Sequence, residues 1–217
     1  MSTMEELVQA VVAGNEAEVK KFTQAAIDEG IKPLSIINDG LIEGMNIVGP
    51  RFRDGEMFVP EVLMCARAMG EGVNMVKSLL VDGELVSKGK IILGTVKGDL
   101  HDIGKNLVGM MLESNGYDVF DLGVDIPPEE FIESAKEKGA DIIGLSAMLT
   151  TTMPAMKETI DSFAEAGMRN DVKIIIGGAP ITQSYADEIG ADGFASDGAS
   201  AADLIGTLLK STLKMAV

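Results

Sequence analysis

The 217-residue sequence predicts an α/β protein: a helical bundle followed by a parallel sheet with helices on both faces. Three observations predict it. Residues 1 to about 82 carry helical periodicity only. Beyond residue 89, short apolar runs alternate with stretches of helix length. Between the two lies Asp82-Gly83-Glu84-Leu85-Val86-Ser87-Lys88-Gly89, polar enough to be a linker. The expected domains are a helical bundle over 1–85 and an α/β domain over 89–217.

Four helices are expected in the first part. Ser2-x-x-Glu5 reads as a capping box and Asn15-x-x-Glu18 as a near relative of one. Gly14 and Gly30 are helix stops. Pro33 opens a third helix that runs to about Val48. Gly49-Pro50 then starts a loop through Val59 that exposes Phe52 and Phe58, and Pro60 starts the fourth helix. Within it Val62, Ala66, Met69, Val73, Val76 and Leu80 alternate spacings of four and three, which makes a bundle seam.

The second part gives five strands: Lys90–Val96, Tyr117–Asp121, Asp141–Ser146, Val172–Ile176 and Gly193–Ala195. Helices follow them at about 104–115, 128–138, 152–166, 180–189 and 199–213. Five such units make a doubly wound sheet, and the flavodoxin-like strand order 2-1-3-4-5 fits five strands. That order places strands 1 and 3 side by side, and ligands bind beyond their carboxyl ends, where the connections diverge. The loops leaving those strands are Lys97–Asn106 and Ser146–Thr152. Topology alone thus brings Asp99, His101, Ser146 and Thr152 together.

His101 is the only histidine in the chain. Gly98 and Gly104 bracket its loop, so the backbone there can turn tightly and approach a ligand. Asp99 stands two residues earlier and can accept a hydrogen bond from one ring nitrogen. The other nitrogen is then left basic and outward, as a metal ligand needs. Zinc wants three or four protein ligands, and Cys65, the one cysteine, lies in the other region. A metal that brings its own equatorial ligands needs a single axial side chain, and one histidine suits that. The loop is not a phosphate loop, because Asn106 follows Lys105 where a Ser or Thr is required. A response-regulator reading shares the fold and could use Asp121 or Asp125, but neither explains the histidine loop.

Asp99-x-His101-x-x-Gly104 after a strand resembles the signature of the cobalamin-binding domain of methionine synthase and its relatives. Ser146-Ala147-Met148-Leu149-Thr150-Thr151-Thr152 resembles the second motif of that family, and Gly177-Gly178 the third. The layout is similar to the corrinoid proteins of methanol, methylamine and betaine methyltransferase systems, with a helical cap ahead of the cobalamin domain. Met148 stands where the family often has leucine, and Thr152 where methionine synthase has serine.

The resemblance implies bound cobalamin with its lower base off and His101 on cobalt, backed by Asp99 and then Thr152. It implies that Leu100, Asp102, Ile103, Ser146, Met148, Leu149 and Thr150 join the cofactor site. Gly177, Gly178 and Ala195 would wall a channel for the nucleotide tail. Phe52, Val59 and Val62 match the residues that cover the upper corrin face. Each set also has a plain structural reading: Ser146 and Thr150–Thr152 as helix caps, Gly177-Gly178 as a tight turn, the apolar trio as core. The implied function is methyl carriage. A donor-specific methyltransferase loads the carrier and a second one, acting on a thiol or tetrahydrofolate acceptor, unloads it; a reductive activation protein can serve it. The rival readings are the cobalamin subunit of an adenosylcobalamin mutase, which would lack such a bundle, and a cobalamin-dependent sensor, which would add a DNA-binding module.

The net charge of −16 argues against nucleic acid, since phosphate binding needs clustered Lys and Arg, and its plain reading is solubility. A single cysteine fits a reducing cytoplasm. The acidic start, Met1–Glu6, lacks the basic flank of a signal peptide, and no apolar run has the length of a membrane span.

Overall fold

The computed structural model describes residues 1–77, 79–80 and 87–215, with side chains described up to residue 210. The chain divides into two compact units. One, helical, takes in Met1–Ser87 with Ser114–Gly116; the other, α/β, begins at Lys88 and holds the rest.

The helical unit starts with α1, Thr3–Val12, and α2, Glu16–Asp28. Ser2 and Glu5 form a reciprocal capping box, and the Asn15 side chain accepts from the Glu18 N–H. A long third run begins as one turn, α3 (Pro33–Ser35), passes through a π-helical segment at Ile36–Ile42, and continues as α4 (Glu43–Arg53). The fourth run is α5, Val59–Lys77. The core holds Leu7, Val11, Val19, Ile36, Leu41, Met45, Val48, Val62 and Val76.

Two expectations are corrected here. The third helix does not stop near Val48; it carries Gly49, Pro50 and Phe52 inside α4. Its buried residues, Met45, Val48 and Gly49 among them, all precede Pro50, and beyond it Phe52 is half-buried. The helix runs on for one last turn, closed by the Asp54 N–H on the Pro50 carbonyl at 2.9 Å. The seam of α5 also ends earlier, since Leu80 lies beyond the helix and Val73 is half-buried.

Most of the expected linker, residues 82–86, lies outside the described residues. Gly89 at its end belongs to the α/β unit. Its carbonyl accepts from the Asp118 N–H at 3.1 Å, and an added Cβ would meet Leu209 Cδ1 at 2.7 Å.

The α/β unit runs β1 (Lys90–Thr95), α6 (Ile103–Ser114), β2 (Asp118–Asp121), α7 (Pro128–Lys138), β3 (Ile142–Ser146), α8 (Pro154–Glu165), β4 (Lys173–Gly177), α9 (Gln183–Ile189), β5 (Gly193–Phe194) and α10 (Gly198–Met215). The sheet is all parallel in the order β2-β1-β3-β4-β5. Alternation along the strands fills both faces. Ile92, Ile143, Ile174 and Ile176 pack with Phe131, Met156, Ile160 and Phe163 from α7 and α8. Ile91, Ile142 and Ile175 pack with Leu112, Ala201 and Ile205 from α6 and α10. The register sets Thr95 beside Ser146, and Ser146 beside Gly177, in one row at the carboxyl ends. The functional loops leave from that row.

Candidate functional site

Asp99 is fully buried, and five donors converge on its two oxygens. Oδ1 accepts from the His101 N–H at 3.1 Å and lies 2.9 Å from His101 Nδ1. Oδ2 accepts from the Met148 N–H at 2.8 Å, the Leu149 N–H at 3.3 Å and the Thr152 hydroxyl at 2.6 Å. Burial pushes the Asp99 carboxyl up, but the bonds from Thr152, Met148 and His101 outweigh it and hold the group well below the usual carboxylate range. An ionised carboxylate accepts only. Nδ1 of His101 must therefore be its donor, which leaves the lone pair of a neutral imidazole on Nε2. The His101 side chain is 53% exposed, so that nitrogen is open to a ligand.

The surroundings are apolar and unusually bare. Leu100 is 72% exposed, Ile103 82%, Met148 47% and Leu149 43%. Singly such exposure is ordinary; here the four lie on the two loops that carry and bond Asp99.

The loop's glycines differ in their reasons. Gly98 has φ +82° and makes the turn that the sequence anticipates. Gly104 makes none: it is the second residue of α6, and an added Cβ would meet nothing within 4 Å. Lys105 next to it is buried, its Nζ 2.5 Å from Asp121 and 2.7 Å from Asn106. That ammonium is occupied inside the fold, which agrees with the failed match to a phosphate loop.

Thr152 does not cap α8, whose N-terminus has no side-chain cap; its hydroxyl serves Asp99 and lies 2.9 Å from the Leu149 carbonyl. Ser146 joins through its backbone, its carbonyl accepting from the Val96 N–H at 3.0 Å. Asp102 accepts from the Asn106 amide at 3.3 Å, and Thr150 is exposed. Gly178 has φ +131°, and an added Cβ would stand 1.8 Å from the Ala147 carbonyl oxygen. At Gly177 it would stand 3.0 Å from the carbonyl oxygen of Ala195, which is itself buried. In the helical unit Phe52 is half-buried, Val59 is 38% exposed and Val62 is fully buried.

Two residues of this site escape sequence reasoning. The buried Thr95 hydroxyl donates to the His101 carbonyl at 2.8 Å. Asp125 accepts from the Gly98 N–H at 2.6 Å. A signal existed for the second: Gly123-Val124-Asp125 follows β2, the neighbour of β1 on its other side.

Among the described residues no group of three or more His, Cys, Asp or Glu side chains is placed to hold a metal ion, and no helix is long and apolar enough to cross a membrane. A parallel α/β domain presenting one oriented imidazole at its switch point has what a metal held in its own macrocycle needs from a protein, a single axial side chain. Comparison with known families gives it a name. Residues 89–205 match the B12 binding domain, and residues 3–77 match a second B12 binding domain family, so the chain belongs to the B12-binding proteins. It is 46% identical to a corrinoid protein of Desulfitobacterium hafniense over 96% of this chain and 98% of that one. It is also 46% identical to dimethylamine corrinoid protein 1 of Methanosarcina acetivorans, over 91% of this chain and 93% of that protein. Among solved structures it resembles the methanol:cobalamin methyltransferase complex MtaBC from Methanosarcina barkeri, with a TM-score of 0.84 and 32% identity over 96% of this chain and 80% of that one.

Proposed function

We propose that this chain is a methyl carrier that holds cobalamin with His101 as the axial ligand, in place of the cofactor's own lower base. One observation carries the reading. A buried carboxylate turns the sole histidine's Nε2 outward, within a rim of exposed Leu100, Ile103, Met148 and Leu149. A flat macrocycle with an apolar face covers such a rim. The vacant space over Gly104 suits a large group lying on the first turn of α6.

Cobalt in its corrin, when bound, supplies the nucleophile that takes up a methyl group and gives it away. The chain's own residues tune that centre. Asp99 fixes the His101 tautomer, and Thr152 sets how much negative charge Asp99 offers to the ring. Asp102, Ser146 and Thr150 complete the polar edge of the site. Gly177, Gly178 and Ala195 wall the channel for the nucleotide tail, where side chains would block entry. Phe52 and Val59 belong to the same proposal as apolar cover, while Val62, fully buried in the core of the helical unit, keeps its plain structural reading; the cap is assigned to 1–85 and the cobalamin-binding domain to 89–217.

Relatives named for dimethylamine, and a structural neighbour named for methanol, support a small methylated amine or alcohol as donor. A donor-specific methyltransferase loads the carrier, and a second methyltransferase delivers the methyl group to a thiol or a tetrahydrofolate-type acceptor. A reductive activation protein and a cytoplasmic location fit this chemistry.

The test is reconstitution. The purified protein should retain one corrinoid per chain through gel filtration, and should pass a methyl group only when both methyltransferases are added. A folded protein that retains no corrinoid contradicts the reading.

A further inference from the structure

Asp125 is the one described non-glycine residue with positive φ, at +58°. A glycine would adopt that conformation at no steric cost. An aspartate there keeps a side chain where the backbone favours none, and this side chain has a partner. Its Oδ1 accepts from the Gly98 N–H at 2.6 Å. Its own N–H donates to the Asp99 carbonyl at 3.0 Å. One residue of the β2–α7 connection therefore grips both sides of the Gly98–Asp99 peptide.

The segment behind Asp125 is rigidly placed. The next residue, Ile126, is buried, bridges Val96 in parallel and donates its N–H to the Thr95 carbonyl at 3.0 Å. Thr95 in turn holds the His101 carbonyl through its hydroxyl. The turn that carries Asp99 is closed by its own N–H on the Val96 carbonyl, at 3.1 Å. The Asp99–His101 pair is thus anchored from outside its own loop by the connection after β3, by Thr95 and by Asp125, and of these only Asp125 has a positive φ.

We infer that Asp125 is a positioning residue for His101. It acts as a hydrogen-bond acceptor that fixes the Gly98–Asp99 peptide, and through it the Asp99–His101 hydrogen bond. Asp125 touches neither the imidazole nor any group that His101 would ligate. This inference rests on the reading of His101 as an axial ligand for its purpose, but not for its geometry.

Because His101 is the sole histidine, its ring nitrogens give a single unambiguous set of nuclear magnetic resonance signals in the cofactor-free protein. The measurement is made where the ring nitrogen shifts themselves report a neutral imidazole. The parent should show the Nδ1–H tautomer. Asp125→Gly, which suits the backbone and removes the carboxylate, should shift the ring toward the Nε2–H tautomer of free imidazole. It should also speed amide exchange at Gly98 by roughly tenfold or more, as loss of a charge-assisted hydrogen bond implies. Asp125→Asn keeps an acceptor oxygen and should restore the Nδ1–H tautomer. Far-ultraviolet circular dichroism confirms the fold of each variant; if the glycine variant does not fold, the asparagine variant must still keep the tautomer with faster exchange at Gly98. An unchanged tautomer in a folded Asp125→Gly protein overturns the inference, as does an asparagine variant that loses the tautomer. These readouts involve no cofactor. A parent that shows the tautomer yet binds no corrinoid would sink the proposed function and leave the role of Asp125 standing.

Discussion

Thr152 Oγ1 lies 2.6 Å from Asp99 Oδ2, a hydrogen bond between residues 53 apart in sequence that joins the loops after β1 and β3. It is the last link of a chain that starts at an exposed imidazole and ends inside the domain. Thr152→Val removes the hydroxyl and keeps the shape. It should cost about 1.5–3 kcal/mol of stability, the usual worth of a hydrogen bond to a charged group, and weaken cofactor affinity about 10–100-fold. Thr152→Ser should recover both. Denaturant melts and cobalamin titrations measure the two effects.

Asp99 makes a prediction about pH. Its native carboxyl titrates below the range of an unfolded aspartate, so it contributes stability that is fully present above the unfolded pKa of about 3.9. That contribution is lost as pH falls from there toward the depressed native value. Asp99→Asn removes it. The stability gap between parent and variant should shrink as pH falls below about 4. A gap that widens below that pH would contradict the burial and bonding described for this carboxylate.

Gly104 and Gly178 should respond to alanine in opposite ways. Gly104→Ala places a methyl in open space on a helix and should stabilise the cofactor-free protein by about 0.5–1 kcal/mol. The same methyl should weaken corrinoid binding if the cofactor lies over Gly104 as proposed. Gly178→Ala drives a methyl into the Ala147 carbonyl at positive φ and should cost at least about 3 kcal/mol before any cofactor is added. Thermal melts with and without cobalamin separate the two cases.

Thr23 tests the helical unit. It is fully buried in α2, and its hydroxyl oxygen has no hydrogen-bond partner. Thr23→Val replaces an unsatisfied polar atom by a methyl of equal size and should stabilise the protein by about 1 kcal/mol. Destabilisation in a denaturant melt would mean that the hydroxyl is satisfied.

The sheet was legible because the strand patterns are short and unmixed. Ile91-Ile92, Ile142-Ile143 and Ile174-Ile175-Ile176 can be buried on both faces only in a covered parallel sheet, and the strand order followed from their number. The Asp99–His101 bond was legible because it spans two residues of one loop. Thr152 was legible through the topology that sets β1 beside β3 and through the resemblance of Ser146–Thr152 to a family motif. The rest depends on tertiary closeness with no local mark. Asp125 lies 27 residues from Gly98, and its role needs a positive φ that nothing in Val124-Asp125-Ile126 demands. Gly49-Pro50 misled in the other direction: local breaker chemistry read there as a loop start, but α4 runs one turn further and closes with the Asp54 N–H on the Pro50 carbonyl.

The central claim is that Nε2 of His101 is the axial ligand of cobalt, and electron paramagnetic resonance of the Co(II) protein tests it most directly. The protein should be prepared with histidine labelled in the ring with nitrogen-15 and reconstituted with unlabelled cobalamin. An axial nitrogen from His101 predicts superhyperfine lines that change from triplets to doublets on labelling, and that vanish in His101→Ala. Triplets that persist in the labelled protein would show that the cofactor's own base is still on cobalt, and would contradict the account.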